Sequence, residues 1–458
     1  RYMPKLPVAA IFDVGKTNKK LLLFNEQYEV VHEAIRQIPE TTDEDGFACE
    51  DVHALTQWVQ TSFYAAANDE RFEIKAVNFS GYGASFVYLD KHDRVIPPLY
   101  NYLKLYPENL RSQFYQKYGG ESLFSKQTAS PMLGNLNSGM QLYRMKYEQP
   151  ETFSSIAFAL HLPQYLSFIL TGKSTTDITS IGCHTNLWNF EAATYHHWVV
   201  DEGIDRLFAP LLPYDTTVPF VFDGKEYVSG IGLHDSSAAL IPYLSAGSEP
   251  FLLLSTGTWC ISLNPFNHAA LSDRELHNDC LCYLSYKGKP VKAARLFSGH
   301  EHEQQVKRLA DHFQKPIDYF TTLAYDKAIA SHLIPSDPLP AAAKSGLLQS
   351  HFAGRSIHLF GRYENAYHQL MSDIVALQVF SAGLILNDSP VKKIFVDGGF
   401  SKNNIYMSLL AAAFPDVEVY AATVAQASAL GAALAIHNSW NSQPLVADLI
   451  SLKRFGAA

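Results

Sequence analysis

Short apolar runs flank two polar turns that lie far apart in the chain. Val8–Phe12 leads into Asp13-Val14-Gly15-Lys16-Thr17-Asn18 and then Leu21–Phe24, while Phe251–Leu254 leads into Ser255-Thr256-Gly257-Thr258 and a second apolar run ending at Leu263. Runs this short, bounded by Gly and Thr, predict strands joined by hairpins. Each turn opens its half of the chain, which predicts two related halves facing each other across a cleft. Backbone N–H groups and hydroxyls in such turns are good donors to phosphate oxygens.

Between the turns the period changes. Val52, Leu55, Trp58, Val59 and Phe63 recur at helical spacing and predict a helix over 51–67. Strands at Ile74–Ser80 and Phe86–Leu89 enclose a Gly81-Tyr82-Gly83 loop, and helices are predicted over Met140–Lys146 and Ile156–Leu170. Pro210, Pro213 and Pro219 punctuate a stretch of weak periodicity that predicts a domain boundary near residue 228, giving domains 1–228 and 229–458. Then come His234 and Asp235, a small-residue helix from Ser236 that Asp235 is placed to cap, a long helix over 366–386, a strand at Lys393–Val396 ending in Gly398-Gly399, and a small-residue helix over 425–437. The class is α/β.

Composition narrows the function. A chain of 458 residues, 47% apolar, has enough for two cores. A net charge of −9 argues against nucleic acid or an anionic membrane as the main partner. The five cysteines are sparse and odd in number, which reads as reduced thiols in a cytoplasmic protein. Cys280 and Cys282 are expected to be alternate residues of a strand rather than half of a zinc site. No signal peptide is expected, since the run at Val8–Phe12 is short and stops at Asp13. The segment Ile156–Leu170 contains His161, Pro163 and Gln164 and is too short to span a membrane, so a buried helix is expected. His300 and His302 are expected in a solvated loop or helix start rather than on a metal.

Two nucleotide motifs fail on inspection. Gly15-Lys16-Thr17 looks like the end of a P-loop, but Ala10 stands where that motif needs glycine and a strand, not a helix, follows. Gly81-Tyr82-Gly83 has no third glycine and no helix start after it.

Seven motifs taken together give a further reading: Phe12–Asn18, Ser80–Ser85, Leu170–Gly172 followed by Asp177 and Thr185–Asn189, Gly232–Asp235, Ser255–Trp259, Val396–Asn403 and Ala427–Ala433. In this order the chain resembles the FGGY carbohydrate kinases, with Asn137, Ser138 and Gln141 leaning toward the rhamnulokinase branch. The resemblance implies two actin-like, ribonuclease-H-like domains with an interdomain active-site cleft and phosphoryl transfer from ATP to a ketose hydroxyl, the candidate ketoses being rhamnulose- or fuculose-like. It implies Asp235 as general base and Asp13 as the carboxylate holding Mg²⁺. Gly15, Thr17, Thr256, Gly257 and Thr258 would line the phosphates, Gly398 and Gly399 would let adenosine approach the backbone, and Asn403 would stand near the base. Tyr82, Gly83, Ser85 and His234, with Asp235, would face the sugar. A homodimer is the candidate assembly.

Alternatives stay open at this stage. Read alone, Asp235 is a helix cap and Gly398-Gly399 an ordinary turn. Lys16 stands where the family usually has Thr or Ser, and either adds charge to the phosphate site or points outward. Tyr100, Tyr102 and Tyr106 replace the family's Arg-containing motif and fit packing as well as recognition. An actin-like ATP-binding protein without sugar kinase activity, and a xylulose, ribulose or polyol kinase of the same family, are the competing functions.

Overall fold

Every residue from Val8 to Phe12 is withdrawn from solvent, and the first unit is built outward from that strand, β1 (Leu6–Val14). The computed structural model describes residues 3–247, 249–336 and 348–456. It divides into one unit of residues 1–247, 282–290 and 425–449 and a second of residues 248–281, 291–424 and 450–458.

In the first unit, β1 is followed by β2 (Lys19–Phe24), β3 (Val30–Arg36), helix α1 (Val52–Ala67) and β4 (Phe72–Gly81). Helix α2 (Leu162–Thr171), the hairpin β5 (Thr217–Phe222) and β6 (Lys225–Gly230), the short β7 (Leu233–His234) and helix α3 (Asp235–Ala246) complete it up to the first crossing. The sheet order is β5-β6-β4-β1-β2-β3, with β7 also on β4. Val8, Ala10, Phe12 and Val14 enter one core with Trp58, Phe63 and Tyr165 from α1 and α2. The strand period sends the equally buried Ala9 and Ile11 to the opposite face. Both faces are therefore covered, which is why this strand reads as an unbroken apolar run rather than an alternating one.

The second unit holds β8 (Phe251–Thr256), β9 (Cys260–Asn264), the first two residues of β10 (Cys280–Leu284), β11 (Pro290–Leu296) from Val291 on, α4 (Ser298–Phe313), α5 (Tyr363–Leu386), β12 (Lys393–Gly398), α6 (Asn404–Ala413) and β13 (Glu418–Thr423). The chain then returns to the first unit for α7 (Ala427–Ala435) and ends in β14 (Ser451–Phe455). Its sheet runs β10-β11-β9-β8-β12-β13-β14, with β8 antiparallel to β9 and parallel to β12. By length and composition α5 would pass for a membrane span, but 67% of its most apolar window is buried in the protein, so it is a core helix. Cys280 and Cys282 are alternate residues of β10, as their spacing predicts.

The structure departs from the sequence reading in two places. Residues 158–161 form a strand paired with Phe86–Leu89, and the helix starts only at Leu162, where Pro163 occupies the first turn. Proline suits a helix start and would break a helix interior, so the apolar run splits there. The change of unit falls at Gly247–Ser248 rather than near residue 228. The reason is that β7 pairs with β4 and α3 packs on α7, both within the first unit. That packing is backbone to backbone: a Cβ on Gly431 would lie 1.8 Å from the Ala238 carbonyl oxygen.

A second core in the first unit gathers Phe86, Phe114, Phe124, Tyr143 and Trp198. At its edge the Glu202 carboxylate, 1% exposed, accepts from Lys117 (2.9 Å), Lys146 (2.6 Å), Tyr118 (2.8 Å) and Tyr147 (2.9 Å). Burial pushes this carboxyl up, but the hydrogen bonds from Lys146, Lys117, Tyr118 and Tyr147 overcome it and hold it at about 2. A lowered carboxyl stabilises the fold above its unfolded value of 4.5 and loses that contribution as the pH falls through about 2. Glu202→Ala should therefore destabilise the protein by about 3 kcal/mol at pH 7, since a hydrogen-bonded cluster is broken around a buried position. Urea unfolding at pH 7 and pH 3 measures it; an equal loss at both values would contradict the account.

Candidate active site

The register of three neighbouring strands sets the centre of the first unit. Asp13 of β1 lies opposite Ser80 of β4, and Ser80 lies opposite Leu233 of β7, so Asp13 and Asp235 emerge at the carboxyl ends of parallel strands. That edge is where open α/β sheets bind ligands. Burial pushes the Asp13 carboxyl up to about 6, the charge of Asp235 pushes the same way, and Lys20 pulls it back. Asp235 is likewise raised to about 6 by burial, against hydrogen bonds from the Ser236 backbone and hydroxyl. About a third of its side chain, 31%, stays accessible.

The cap of α3 is His234, and Asp235 is the first helical residue, a shift of one position from the expected capping. Its Oδ1 still accepts from the Ser236 N–H at 2.7 Å, and a helix N-terminus favours the anion. His234 Nε2 is 3.2 Å from that same oxygen and 3.2 Å from Cys183 Sγ. Burial holds His234 down at about 4, so the ring is neutral at physiological pH. Nε2 hydrogen-bonds Cys183 Sγ, and the Asp235 carboxylate takes its own hydrogen bonds from Ser236. The backbone N–H of His234 donates to Thr179 Oγ1 at 2.9 Å, and Thr179 in turn donates to the buried Asp177. Asp177, which the sequence marks only as part of a polar turn, is thus linked through Thr179 to the backbone just before Asp235.

Glycine is required at Gly83, where a Cβ would come within 2.5 Å of Cys183 Sγ and 3.2 Å of the His234 ring. Tyr82 donates its hydroxyl to Glu50 at 2.8 Å, and Ser85 is buried with its carbonyl accepting from Leu162 N–H. Of the expected sugar-facing residues, then, His234 lies against Asp235, Gly83 packs on the His234 ring, Tyr82 has its hydroxyl on Glu50, and Ser85 serves the backbone. Asn137, Ser138 and Gln141 are buried and occupied too: the Asn137 amide donates to the His184 carbonyl, Ser138 pairs with His161, and Gln141 donates to the Ala84 and Asn135 carbonyls.

The first turn is closed by Gly15 N–H donating to the Asn18 carbonyl at 2.9 Å. Its anchor is Lys19, 1% exposed, which donates to the carbonyls of Gly15 (3.0 Å) and Lys16 (2.9 Å) and pairs with Glu50 at 2.7 Å. Thr17 is exposed. The sequence offered one clue to Lys19: a lysine at a position where β2 points inward.

In the second unit the other turn closes by Gly257 N–H donating to the Trp259 carbonyl. Gly257 and Thr258 are exposed, but the Thr256 hydroxyl is engaged: it donates to the Asp397 carbonyl and accepts from Phe400 N–H at 3.0 Å. It ties β8 to the Gly398-Gly399 turn, where Gly398 has φ +80° and a Cβ would lie 1.8 Å from the Thr256 carbonyl oxygen. Gly299, in the first turn of α4, touches the Gly257 carbonyl so closely that no side chain fits. A cavity of about 540 Å³ opens beside these elements, lined by Gly257, Thr258, Gly299, His302, Phe320 and Gly399, with Asn403 at its edge. The helix N-terminus and the exposed turn supply N–H donors at one end. Aromatic rings line the other: His302 meets Phe320 and Phe400 edge-on, and Phe320 stacks on Tyr367.

His300 and His302 lie at the start of α4, as a helix start predicts, but His302 is buried rather than solvated, with its Nε2 2.8 Å from the Tyr367 hydroxyl. Its spacing to Val306 and Leu309 was the helical signal that placed it on the inner face. Asn403 caps α6 through the Tyr406 N–H and donates to the Tyr367 hydroxyl, so its side chain shapes the cavity wall.

Residues 8–206 match the N-terminal domain of the FGGY family of carbohydrate kinases, and residues 248–444 match the carbohydrate kinase FGGY C-terminal domain. The chain belongs to the FGGY family of carbohydrate kinases. Among curated relatives, rhamnulokinases from Halalkalibacterium halodurans and Mannheimia succiniciproducens are 26% and 22% identical over 260 and 264 residues. Those matches cover 54% and 57% of this chain and span about half of each relative, 52% and 54%. The carbohydrate kinase structure from Novosphingobium aromaticivorans superposes with a TM-score of 0.80 at 21% identity, covering 98% of this chain and 94% of that one. Ligand-bound xylulose kinase from Lactobacillus acidophilus gives 0.75 at 17% identity, over 95% and 89%. These likenesses establish the two-domain ribonuclease-H-like fold.

The raised carboxyls carry a sign. A carboxyl whose folded value, about 6, exceeds its ordinary 3.8 stabilises the fold below pH 3.8 and loses that contribution as the pH rises through about 6. At pH 8 both anions therefore weigh against folding. Asp235→Asn should melt about 2–4 °C above the parent at pH 8, with the gain vanishing near pH 4. Calorimetric scans at the two pH values check this, and a variant less stable at pH 8 would refute it.

Proposed function

We propose that the protein is an ATP-dependent sugar kinase that transfers the γ-phosphoryl group of ATP to a hydroxyl of a small sugar, with Asp235 as general base. The observation that carries this reading is Asp235 itself: a carboxylate at the carboxyl end of a parallel strand, raised to about 6, with 31% of its side chain accessible. In such a transfer the acceptor oxygen bonds to the γ-phosphorus while the bond from that phosphorus to the β–γ bridging oxygen breaks, ADP leaves, and the hydroxyl proton passes to Asp235. The protein contributes alignment and charge more than covalent chemistry. A base near 6 is matched to neutral pH better than an ordinary carboxyl.

The donor nucleotide is assigned to the 540 Å³ cavity of the second unit. Its volume falls within the range of small-molecule sites. The Gly257 N–H is taken by the Trp259 carbonyl, so Thr258 and the Gly299 end of α4 would receive phosphate oxygens, Gly257 and Gly399 would let the nucleotide approach the backbone, and the Phe320–His302 end would take the base. In the first unit the Gly15 N–H is likewise taken by Asn18, so Thr17 would present its hydroxyl to the transferring phosphate, with Gly15 shaping the turn and Lys20 adding charge.

Mg²⁺ is assigned to Asp13. The residues fit: Asp13 and Asp235 stand at one sheet edge, and the charge of Asp235 helps to raise the Asp13 carboxyl, a repulsion that a cation would relieve. Mg²⁺ is typically held this way, by one or two carboxylates together with water and phosphate oxygens. When bound it would neutralise charge on the phosphate chain. Asp13 would hold it and keep it apart from the proton transfer at Asp235.

The acceptor is assigned to the sugar class by the family, and the rhamnulokinase relatives place rhamnulose- and fuculose-like ketoses on the first panel to test, with xylulose, ribulose and polyols beside them. A reducing, cytoplasmic setting belongs to this reading, supported by five sparse and buried cysteines.

A coupled ADP-release assay across that panel is the test. ATP turnover that rises only when a sugar is added is expected, and sugar-independent turnover would favour an actin-like ATPase instead. Asp235→Asn should lower kcat by ~10²–10⁴-fold with ATP and sugar affinities nearly intact; near-normal turnover would remove Asp235 as the base. The wild-type kcat/KM should also fall on the acid side of about pH 6, because protonated Asp235 cannot accept the hydroxyl proton.

A further inference from the structure

His184, Cys183, His234 and Asp235 form a row of side chains that ends at the base, all within the first unit. His184 Nδ1 donates to the Leu136 carbonyl at 2.7 Å, and its Nε2 lies 3.4 Å from Cys183 Sγ. The sulfur is 3.2 Å from His234 Nε2, which in turn is 3.2 Å from Asp235 Oδ1. Packing holds the row still: a Cβ on Gly83 would come within 2.5 Å of the sulfur, and the Tyr283 ring lies 6.0 Å from that of His184 and 5.7 Å from that of His234.

The carbonyl end sets the direction of the row. A carbonyl oxygen only accepts, so the His184 proton is on Nδ1 and its Nε2 offers a lone pair. The Cys183 thiol then donates to His184, which turns sulfur lone pairs toward His234 and calls for a proton on His234 Nε2. The far side of that ring agrees. His234 Nδ1 is buried without a partner, and an orphaned buried N–H is rarer in proteins than an under-satisfied acceptor. Without the His184 acceptor the thiol would be free to turn and give its proton to His234 Nε2, moving the ring proton to Nδ1.

We propose that His184 and Cys183 are positioning residues: His184 draws the Cys183 S–H away from His234 and thereby keeps the His234 proton on Nε2, the nitrogen beside Asp235. The inference rests on the kinase reading and deepens it. An N–H 3.2 Å from Oδ1 attracts the carboxylate anion that is to accept the hydroxyl proton, whereas a lone pair at that distance repels it and favours the protonated acid, which is no base. The effect is electrostatic, since the hydrogen bonds to the Asp235 carboxylate come from Ser236. Low local dielectric enlarges it, because His234 and Cys183 are both buried.

The test uses the full chain, the best sugar of the panel and a double-mutant cycle. His184→Asn keeps an N–H for Leu136, suits the φ of +39° at this position and removes the acceptor for the thiol. His184→Gln places an amide oxygen within reach of the S–H instead. His184→Asn should lower kcat about 10-fold with the KM values for sugar and ATP nearly unchanged, His184→Gln should keep most of the activity, and in a Cys183→Ala background His184→Asn should cost less than about threefold, because no S–H is left to turn. Equal losses in the two backgrounds, equal losses for Asn and Gln, or a loss carried by KM would each overturn the proposal, since packing alone would produce them. The S–H stretch of Cys183, isolated in the infrared as wild type minus Cys183→Ala, reads the donor direction without any turnover. It should shift in His184→Asn and hold in His184→Gln. Turnover with a band that His184→Asn leaves unmoved overturns the positioning role alone, whereas a wild type that turns over no acceptor overturns the kinase reading and the role at Asp235 with it. His184→Leu repeats the comparison should the asparagine variant fail to fold, as melting curves will show.

Discussion

Two carboxylates held where water is scarce are the constraint that the first unit is arranged around. Asp13 and Asp235 each lie well above the ordinary carboxyl range, and each would be easier to fold as a neutral residue. They persist because the backbone beneath them is over-determined. β1, β4 and β7 fix both positions by register, Asn78 ties β4 to α7 through the Ala432 carbonyl and to the Gly232 N–H, and a Cβ on Gly230 would strike the Asn78 side chain at 2.3 Å. Strain of this kind collects at functional sites because folding alone gives no reason to keep it.

Charge around those carboxylates is distributed by burial rather than by sequence proximity. Lys16, Lys19 and Lys20 fall on one turn yet face an aromatic pair, a buried glutamate and the Asp13 carboxylate, respectively. Lys19 matters most for the shape of the turn, because its ammonium holds two carbonyls inward and so leaves backbone N–H groups of the turn outward. The second unit reaches the same end differently. There the Thr256 hydroxyl, not a cation, clamps the turn to its neighbour, and Gly299 and Gly398 allow backbones to meet where any side chain would collide.

Residues that a motif marks as ligand-binding are often the ones holding the backbone in place. Asn137, Ser138, Tyr82 and Thr256 have their polar atoms engaged inside the protein, as does the amide nitrogen of Gln141. A buried polar group needs a partner, and a site built to hold exposed donors in register needs many of them. Groups left open for chemistry are fewer: Asp235, Lys16, and the exposed Thr17, Gly257 and Thr258.

The sequence by itself determined the strand–turn–strand openings, the class of fold and the position of Asp235, because these depend on local period and on glycines that only certain turns need. The strands at Val8–Phe12 and Phe251–Leu254, the helix over 52–67 and the small-residue helix near 430 were all legible for that reason. Tertiary structure alone decided the rest. Phe158–His161 became a strand because Phe86–Leu89 offered it an edge, and His302 was buried because Tyr367 and Phe320 stood opposite. The unit boundary moved past α3 because α7, nearly two hundred residues later, returns to cover it. Which of Lys16, Lys19 and Lys20 is buried follows from which of them found a buried anion, and a linear pattern carries no record of partners brought together from distant parts of the chain.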